Sequence, residues 1–382
     1  MRLNCRLVAS AVVEVEKRSR DKAISEVRIP LYAPSALGYD TVRLISLLSE
    51  LFLLVLARSV RVSFVPRFVQ ESLALPGAED NAKVICLFSG GVDSYAGILR
   101  AADNYESVIG VFCAHADQSK MIATVRELER RIKRRPNVSF DTVRVPALGI
   151  HGYVQLRGFL YIVAAGSVMA STKASNLLVT ECGPTMFQPR FSPLDSVTMT
   201  THPEIVRLGG KCLTLLLRRP VEIATPQSQL TKAEVMANSP EQEGLRKTHS
   251  CISQRFGDHD GTCYGCVIRR LAAIAADVED VRYRRNPLWD ERAAGGNLLE
   301  LLRFSADLLV DPDRLEDFQR RHLASFGVND LFLRFALDNF AAVYAISTRG
   351  GRLRRAIRTM LEEVVQIVGR ERLDMRLAKL RG

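Results

Sequence analysis

The chain has 382 residues, too many for one ordinary small domain. Its composition, 47% hydrophobic and 25% charged, is that of a folded globular protein and excludes collagen-like, low-complexity and disulfide-scaffold classes. A formal net charge of +11, from 53 basic and 42 acidic residues, suits nucleotides, nucleic acids or an acidic protein partner without choosing among them.

The longest apolar stretch, Leu44 to Val60, is broken by Ser46, Ser49, Glu50 and Arg58, so no membrane span is expected. The first 25 residues lack an uninterrupted apolar core, so export is disfavoured and the cytoplasm is the expected compartment. In chain order, residues 1–80 read as an N-terminal α+β extension. Leu7 to Val15 predicts a strand, and Asp40 to Ser59 carries apolar residues at helical spacing. Pro76 and Gly77 mark a short polar connector.

From Lys83 the pattern alternates. Strands are expected at Val84 to Phe88, Val108 to Cys113, Val138 to Val145, Asn176 to Thr180 and Val221 to Ala224. Helices are expected from near Ser94, over Ile122 to Lys133, and over Phe159 to Ala170. The alternation predicts an α/β domain over 81–290, built on a doubly wound, mainly parallel sheet. After Pro287 the apolar spacing turns to three and four, over Leu298 to Val310, Leu315 to Phe326, Asp330 to Ile346 and Leu353 to Val368. Asp313 and Thr348 are turn or cap candidates there, and residues 291–382 read as a C-terminal helical domain.

The stretch Phe88-Ser89-Gly90-Gly91-Val92-Asp93-Ser94 follows an apolar strand and opens a helix. Two glycines let the backbone turn tightly and approach a ligand without Cβ interference. Amides at a helix start, with the helix dipole, favour an anion. Ser89 and Ser94 add hydroxyls, and Asp93 could orient the loop or assist Mg²⁺. No Gly-Lys-Ser/Thr follows, so this is not a Walker A loop.

Of eight cysteines, Cys251, Cys263 and Cys266 are gathered, whereas Cys5, Cys86, Cys113, Cys182 and Cys212 are scattered among apolar residues and read as buried thiols. A Cys-x-x-Cys pair presents two thiolates to one metal and a more distant Cys can close the site, although three thiolates fall short of the usual four zinc ligands. In a cytosolic setting a metal site is favoured over a disulfide.

The loop Ser89 to Ser94 resembles the PP-loop of the ATP pyrophosphatases. The segments Thr248-His249-Ser250-Cys251 and Cys263-Tyr264-Gly265-Cys266, followed by Arg269, resemble the 7-cyano-7-deazaguanine synthase family, which carries Thr-x-Ser-Cys and then Cys-x-x-Cys-x-x-Cys-x-x-Arg. That pattern falls on Cys251, Asp260, Cys263 and Cys266, so Asp260 stands where the family has cysteine. Either Asp260 supplies an oxygen, or His259 a nitrogen, or the site has weakened; His249 more naturally flanks the motif. Asp117-Gln118, Arg157, Glu181 and Leu230-Thr231-Lys232-Ala233-Glu234-Val235 follow the family's order, so the resemblance covers Lys83 to Asp277, about half of the chain.

The resemblance implies a HUP-like, Rossmann-type core that cleaves ATP between its α and β phosphates. It implies Asp93, Ser94 and Lys232 in catalysis. It also implies Phe88, Ser89, Gly90, Gly91, Val92, Asp93, Ser94, Gln118 and Arg157 around ATP and Mg²⁺. Glu181 and Arg269 would lie on the side of a 7-deazaguanine carboxylate, with Zn²⁺ at the cysteine cluster. The long flanking segments and the departure at Asp260 resemble the synthase-like components of bacterial anti-phage systems of the Qat type. Those imply attachment of the deazaguanine to the amino terminus of a partner protein from the same operon. A nitrile synthase for modified tRNA or DNA, a tRNA-directed PP-loop enzyme and a non-catalytic scaffold are the alternatives.

Three further features take ordinary readings. Arg126 to Arg135 interleaves acids with bases, as a solvated helix face does. The bases from Arg349 to Arg358 could lie against an acidic partner, yet Gly296 to Gly382 holds 15 basic and 12 acidic residues, a balance that does not require nucleic acid. Phe332, Phe335, Phe340 and Tyr344 form an aromatic stripe expected in a helical core.

Overall fold

The structure is a computed structural model that describes residues 2–20, 26–33, 40–56, 59–68, 83–114, 119–144, 156–187, 200–251, 259–290, 296–311, 327 and 329–381. The expected turn at Pro76-Gly77, the residues Asp117 and Gln118, the expected helix Leu315 to Phe326 and the cap candidate Asp313 lie outside the described residues. The chain divides into two compact units. One comprises Met1–Ser89, Ala101–Thr180 and Val197–Pro226; the other comprises Gly90–Arg100, Glu181–Ser196 and Gln227–Gly382. This division differs from the three consecutive segments expected from sequence: the expected central domain contributes to both units.

The first unit holds a five-stranded, all-parallel sheet. Its strands are β3 (Lys83–Leu87), β4 (Ser107–Ala114), β5 (Val138–Arg144), β6 (Asn176–Leu178) and β7 (Glu222–Ala224), in the spatial order β5-β4-β3-β6-β7. That order reverses between β3 and β6, which is the doubly wound, Rossmann-like arrangement. Ligand crevices of such sheets open beyond the carboxyl ends of the strands at the reversal. Val84, Ile85 and Cys86 are fully buried, as an unbroken apolar run demands in a sheet strand covered on both faces. Helix α5 (Arg157–Thr172) lies against β3, β4 and β5. Helix α4 (Ser119–Ile132) buries Val125, Leu128 and Ile132 and exposes Arg126, Glu127 and Arg130, the solvated face expected for this basic stretch.

The N-terminal extension corrects one expectation. Leu7 to Val15 is part of helix α1 (Arg2–Arg20), not a strand. Asn4, Cys5, Val8, Ala9, Val12 and Val15 are buried, at three- and four-residue spacing; the valines lend the segment strand-like composition, but its burial period is helical. Two strands escaped the sequence reading. β1 (Glu26–Ala33) and β2 (Arg61–Phe68) pair in parallel, joined through α2 (Thr41–Leu56), which starts as expected at Asp40, whose carboxylate accepts the Arg43 N–H. Helix α7 (Pro203–Leu217) packs on α2 and α5.

Among the described residues, the regular elements of the second unit are helices, beside one isolated bridge between His259 and Tyr283. The unit contains the beginning of α3 (Val92–Asn104), then α6 (Gly183–Phe187), α8 (Lys232–Ala237), α9 (Gln242–Leu245), α10 (Tyr264–Ala276), α11 (Gly296–Val310), α12 (Asn329–Thr348), α13 (Arg355–Val368) and α14 (Arg370–Arg381). Helix α12 is its axis. Phe332, Phe335 and Phe340 are buried as expected, while Tyr344 is half-exposed, its hydroxyl donating to Asp374. Thr348 closes α12. No helix among the described residues is long and apolar enough to cross a membrane.

Glycines in the first unit give a paired test of packing. A Cβ on Gly158 would stand 1.3 Å from the Thr200 carbonyl oxygen, whereas one on Gly210 would meet only Ile223, at 3.5 Å. Gly158→Ala should cost at least ~2 kcal/mol, read as a lowered denaturation midpoint. Gly210→Ala, inside α7, should be neutral or stabilising by up to ~1 kcal/mol.

Candidate functional site

Strand β3 ends at Leu87, and five residues later the chain enters α3 at Val92. In this connection Ser89 is exposed, Gly91 is half-buried, and Gly90 takes φ 77°, the left-handed region that residues with a Cβ rarely adopt. The Ser94 hydroxyl donates to the Gly91 carbonyl, and the Tyr95 N–H closes the first helical turn on the same oxygen. A strand, a left-handed glycine and a helix start in succession are the backbone elements of an anion site.

Asp93 holds this turn in place. It is only 4% exposed, and Lys232 Nζ lies 2.8 Å and 2.7 Å from its two carboxylate oxygens. The Cys182 N–H donates to one of those oxygens at 3.3 Å, and the Gln227 side-chain amide donates to the Asp93 carbonyl at 2.9 Å. Burial pushes the Lys232 ammonium towards its neutral form, but Asp93, with Cys182 and Glu181 behind it, outweighs burial and holds its pKa above the usual lysine value. Lys232 is therefore charged, and its charge is spent chiefly on Asp93. Of the two roles expected for Asp93, this geometry fits loop orientation. Glu181 lies at the start of the segment that carries Cys182 and is felt electrostatically by Lys232. Cys182 itself is pushed up to about 12 by burial first and by Asp93 second, so it remains a thiol.

Lys232 opens α8, whose N-terminus is fixed by a capping box: the Thr231 hydroxyl accepts the Glu234 N–H while the Glu234 carboxylate accepts the Thr231 N–H. Glu234 also receives Arg334 of α12 and, at 2.7 Å, Arg376 of α14. Arg376 donates at 2.6 Å to Asp338, which in turn accepts the Thr231 hydroxyl. The C-terminal helices thus clamp the helix that carries Lys232. Sequence reading missed Arg334, Asp338 and Arg376; the Thr231-x-x-Glu234 box was the available signal, but nothing local marks its distant partners.

The cysteine cluster forms as expected. One ligand atom each from Cys251, Asp260, Cys263 and Cys266 lies within 4.8 Å of the others. Three sulfurs and a carboxylate oxygen at that separation suit a tetrahedral ion such as zinc. Cys263 caps α10, and the Asp260 carboxylate accepts the N–H groups of Thr262 and Cys263, which orients it toward the helix start. Cys266 is pushed well above the usual thiol range, by its hydrogen bond with Cys263 first and by burial next. A divalent cation reverses that balance by binding the thiolates.

Between the two expected alternatives, the structure favours Asp260. The His259 Nε2 accepts the Ser250 N–H at 3.0 Å, and burial, aided by Arg269, lowers its pKa to about 4. His249 is hydrogen-bonded to the Cys251 carbonyl, flanking the cluster as expected.

Arg269, which the resemblance puts on the substrate side, lies in the interior. It is 0% exposed and spends its guanidinium on Asp280 (2.7 Å), the carbonyls of Thr248 and Leu245, and the hydroxyls of Thr248 and Ser250. It is a strut for the segment leading to Cys251. That same segment joins the glycine turn, because the His249 N–H donates to the Gly90 carbonyl at 2.9 Å. Arg157, exposed in the first turn of α5, belongs to the other unit. No protein-family model matches the chain.

Purified protein should carry about one zinc ion per chain. Cys263→Ser and Cys266→Ser should each lose it, whereas Asp260→Cys and His259→Ala should keep it, measured by elemental analysis. Retention in Asp260→Ala with loss in His259→Ala would move the fourth ligand to His259. Arg376→Met, which leaves the buried Asp338 without its cation and Glu234 with Arg334 only, should cost about 3–5 kcal/mol in denaturant unfolding. Adding Asp338→Asn should recover part of that loss.

Proposed function

We propose that the protein is an ATP-dependent enzyme that adenylates the carboxylate of a 7-deazaguanine and passes the acyl group to an amine, with release of AMP and pyrophosphate. The observation that carries the reading is the hydrogen bond from His249 to Gly90: it ties the glycine turn to the cysteine segment, the two features on which the family resemblance rests. The resemblance to the synthase-like components of Qat-type defence favours a partner protein's amino terminus as the acceptor.

A carboxylate is a poor acyl donor because oxide is a poor leaving group. In the proposed reaction its oxygen attacks the α-phosphorus of ATP, the α–β phosphoanhydride breaks, and pyrophosphate leaves. An amine then attacks the acyl carbon, loses a proton, and AMP departs. The amides of Ser89 to Ser94 and the Ser89 hydroxyl bind the outgoing pyrophosphate and hold it through the first step, an electrostatic task. Asp93 and Lys232 fix that turn, and Lys232 stays protonated because Asp93 faces it. Mg²⁺, when bound, offsets phosphate charge, and zinc at Cys251, Asp260, Cys263 and Cys266 would hold the cysteine segment rigid.

Incubation with ATP, 7-carboxy-7-deazaguanine and the product of the neighbouring gene should give AMP, pyrophosphate and a mass increase on that protein's amino terminus. Gly91→Val, which crowds the turn, should slow AMP release by about 10²–10³-fold. A free nitrile with no protein adduct would identify an ordinary synthase. No AMP release with any of these substrates would reject adenylation.

A further inference from the structure

Beside the metal cluster the second unit contains an open hollow of about 660 Å³ lined by Arg270, Tyr283, Arg284, Arg285, Asn286, Trp289 and Asp290. Its wall is continuous with the cysteine segment. The N–H groups of Arg284 and Arg285 donate to the carbonyls of His259 and Asp260, and Gly261, at φ 85°, lies so close that a Cβ there would stand 2.0 Å from the Arg285 oxygen. The Arg270 guanidinium is stacked 4.3 Å over the Tyr283 ring and 5.8 Å from that of Trp289, and it donates to the Arg285 carbonyl. Trp289 is the chain's single tryptophan and is 53% exposed. Asn286 is 8% exposed: its side-chain oxygen accepts the Leu288 N–H, which leaves its Nδ2 as the donor, and that buried nitrogen has no partner among the described residues.

We propose that this hollow binds a nucleoside phosphate unit, free or at the end of a single nucleic-acid strand. Three requirements select that chemistry. The exposed indole presents a flat face to a planar ring, and base stacking on aromatic side chains is tolerant of base identity. Three arginines against one aspartate favour an anion, and the exposed guanidinia of Arg284 and Arg285 match phosphate geometry. The Asn286 amide needs an acceptor, which ring carbonyls and ring nitrogens supply. An acidic peptide meets the charge requirement but offers nothing flat to the indole. The site uses no residue assigned above to ATP or to the carboxylated base, so it stands or falls independently of the proposed reaction.

Because Trp289 is the only tryptophan, its fluorescence reports this hollow alone. The zinc-loaded full-length protein is titrated with guanosine monophosphate and with a single-stranded oligodeoxynucleotide of roughly ten residues. Saturable quenching is expected. Equal affinity per site for both probes identifies a free nucleotide as the ligand. Affinity at least about tenfold tighter for the strand, falling steeply with salt, identifies a strand end. Arg285→Ala and Arg284→Ala, both at exposed side chains, should each weaken binding by about fivefold or more. Gly91→Val should leave the quench unchanged. The proposal is overturned if neither probe quenches, if the quench is indifferent to both arginine variants, or if it vanishes in Gly91→Val, which would place the ligand at the glycine turn. Quenching by a poly-glutamate peptide and not by either nucleotide probe would also overturn it in favour of an acidic partner.

Discussion

One buried carboxylate organises the candidate site. Asp93 sits in the first turn of a helix, where a negative charge complements the helix dipole, and it simultaneously receives an ammonium, a backbone amide and, on its carbonyl, a side-chain amide. An unpaired carboxylate at that depth would be strongly destabilising, so Lys232 is an obligatory partner. The consequence is geometric: Asp93 cannot be satisfied unless α8 and the segment at Cys182 approach the beginning of α3. The conformation of the glycine turn that precedes it is thereby fixed as well.

The obligation propagates outward through charge. Holding Lys232 requires holding α8, and α8 is gripped at Glu234 by arginines from two helices distant in sequence. Arg376 answers two carboxylates, Glu234 and Asp338, so neither acid is left buried alone. The C-terminal helices are therefore part of the support of the candidate site. Their own core is aromatic and aliphatic along α12, which gives the ionic clamp a rigid base. The metal cluster is a second anchor of the same kind. Its cysteine segment is braced by Arg269 from within and meets the turn through one backbone hydrogen bond.

How far the sequence alone reaches depends on whether a signal is local. The strands of the five-stranded sheet were legible from the strand–helix alternation, with β3 and β4 as near-continuous apolar runs, and the turn at Gly90-Gly91 because glycine pairs have few substitutes there. Cys251, Cys263 and Cys266 were legible from their spacing, and Asp260 from the position where the resembled family has cysteine. Leu7 to Val15 was misread because its valines outweigh its helical burial period. β1 and β2 were missed because their alternation, Glu26-Val27-Arg28-Ile29 and Arg61-Val62-Ser63-Phe64, is short and is followed in each strand by a proline, Pro30 or Pro66. The bracing contacts of Arg269 were not legible, because sequence shows that an arginine follows the cysteines but not which way it points. The arginines that clamp Glu234 were invisible, since an ion pair across about a hundred residues leaves no periodic trace.

The central claim is that the turn pinned by Asp93 is an anion site. Calorimetric titration of the zinc-loaded protein with magnesium pyrophosphate tests it most directly. The account predicts binding at about one equivalent, abolished in Gly91→Val and weakened by about tenfold or more in Asp93→Asn. Undetectable binding to the unaltered protein, or equal affinity in all three proteins, would contradict it.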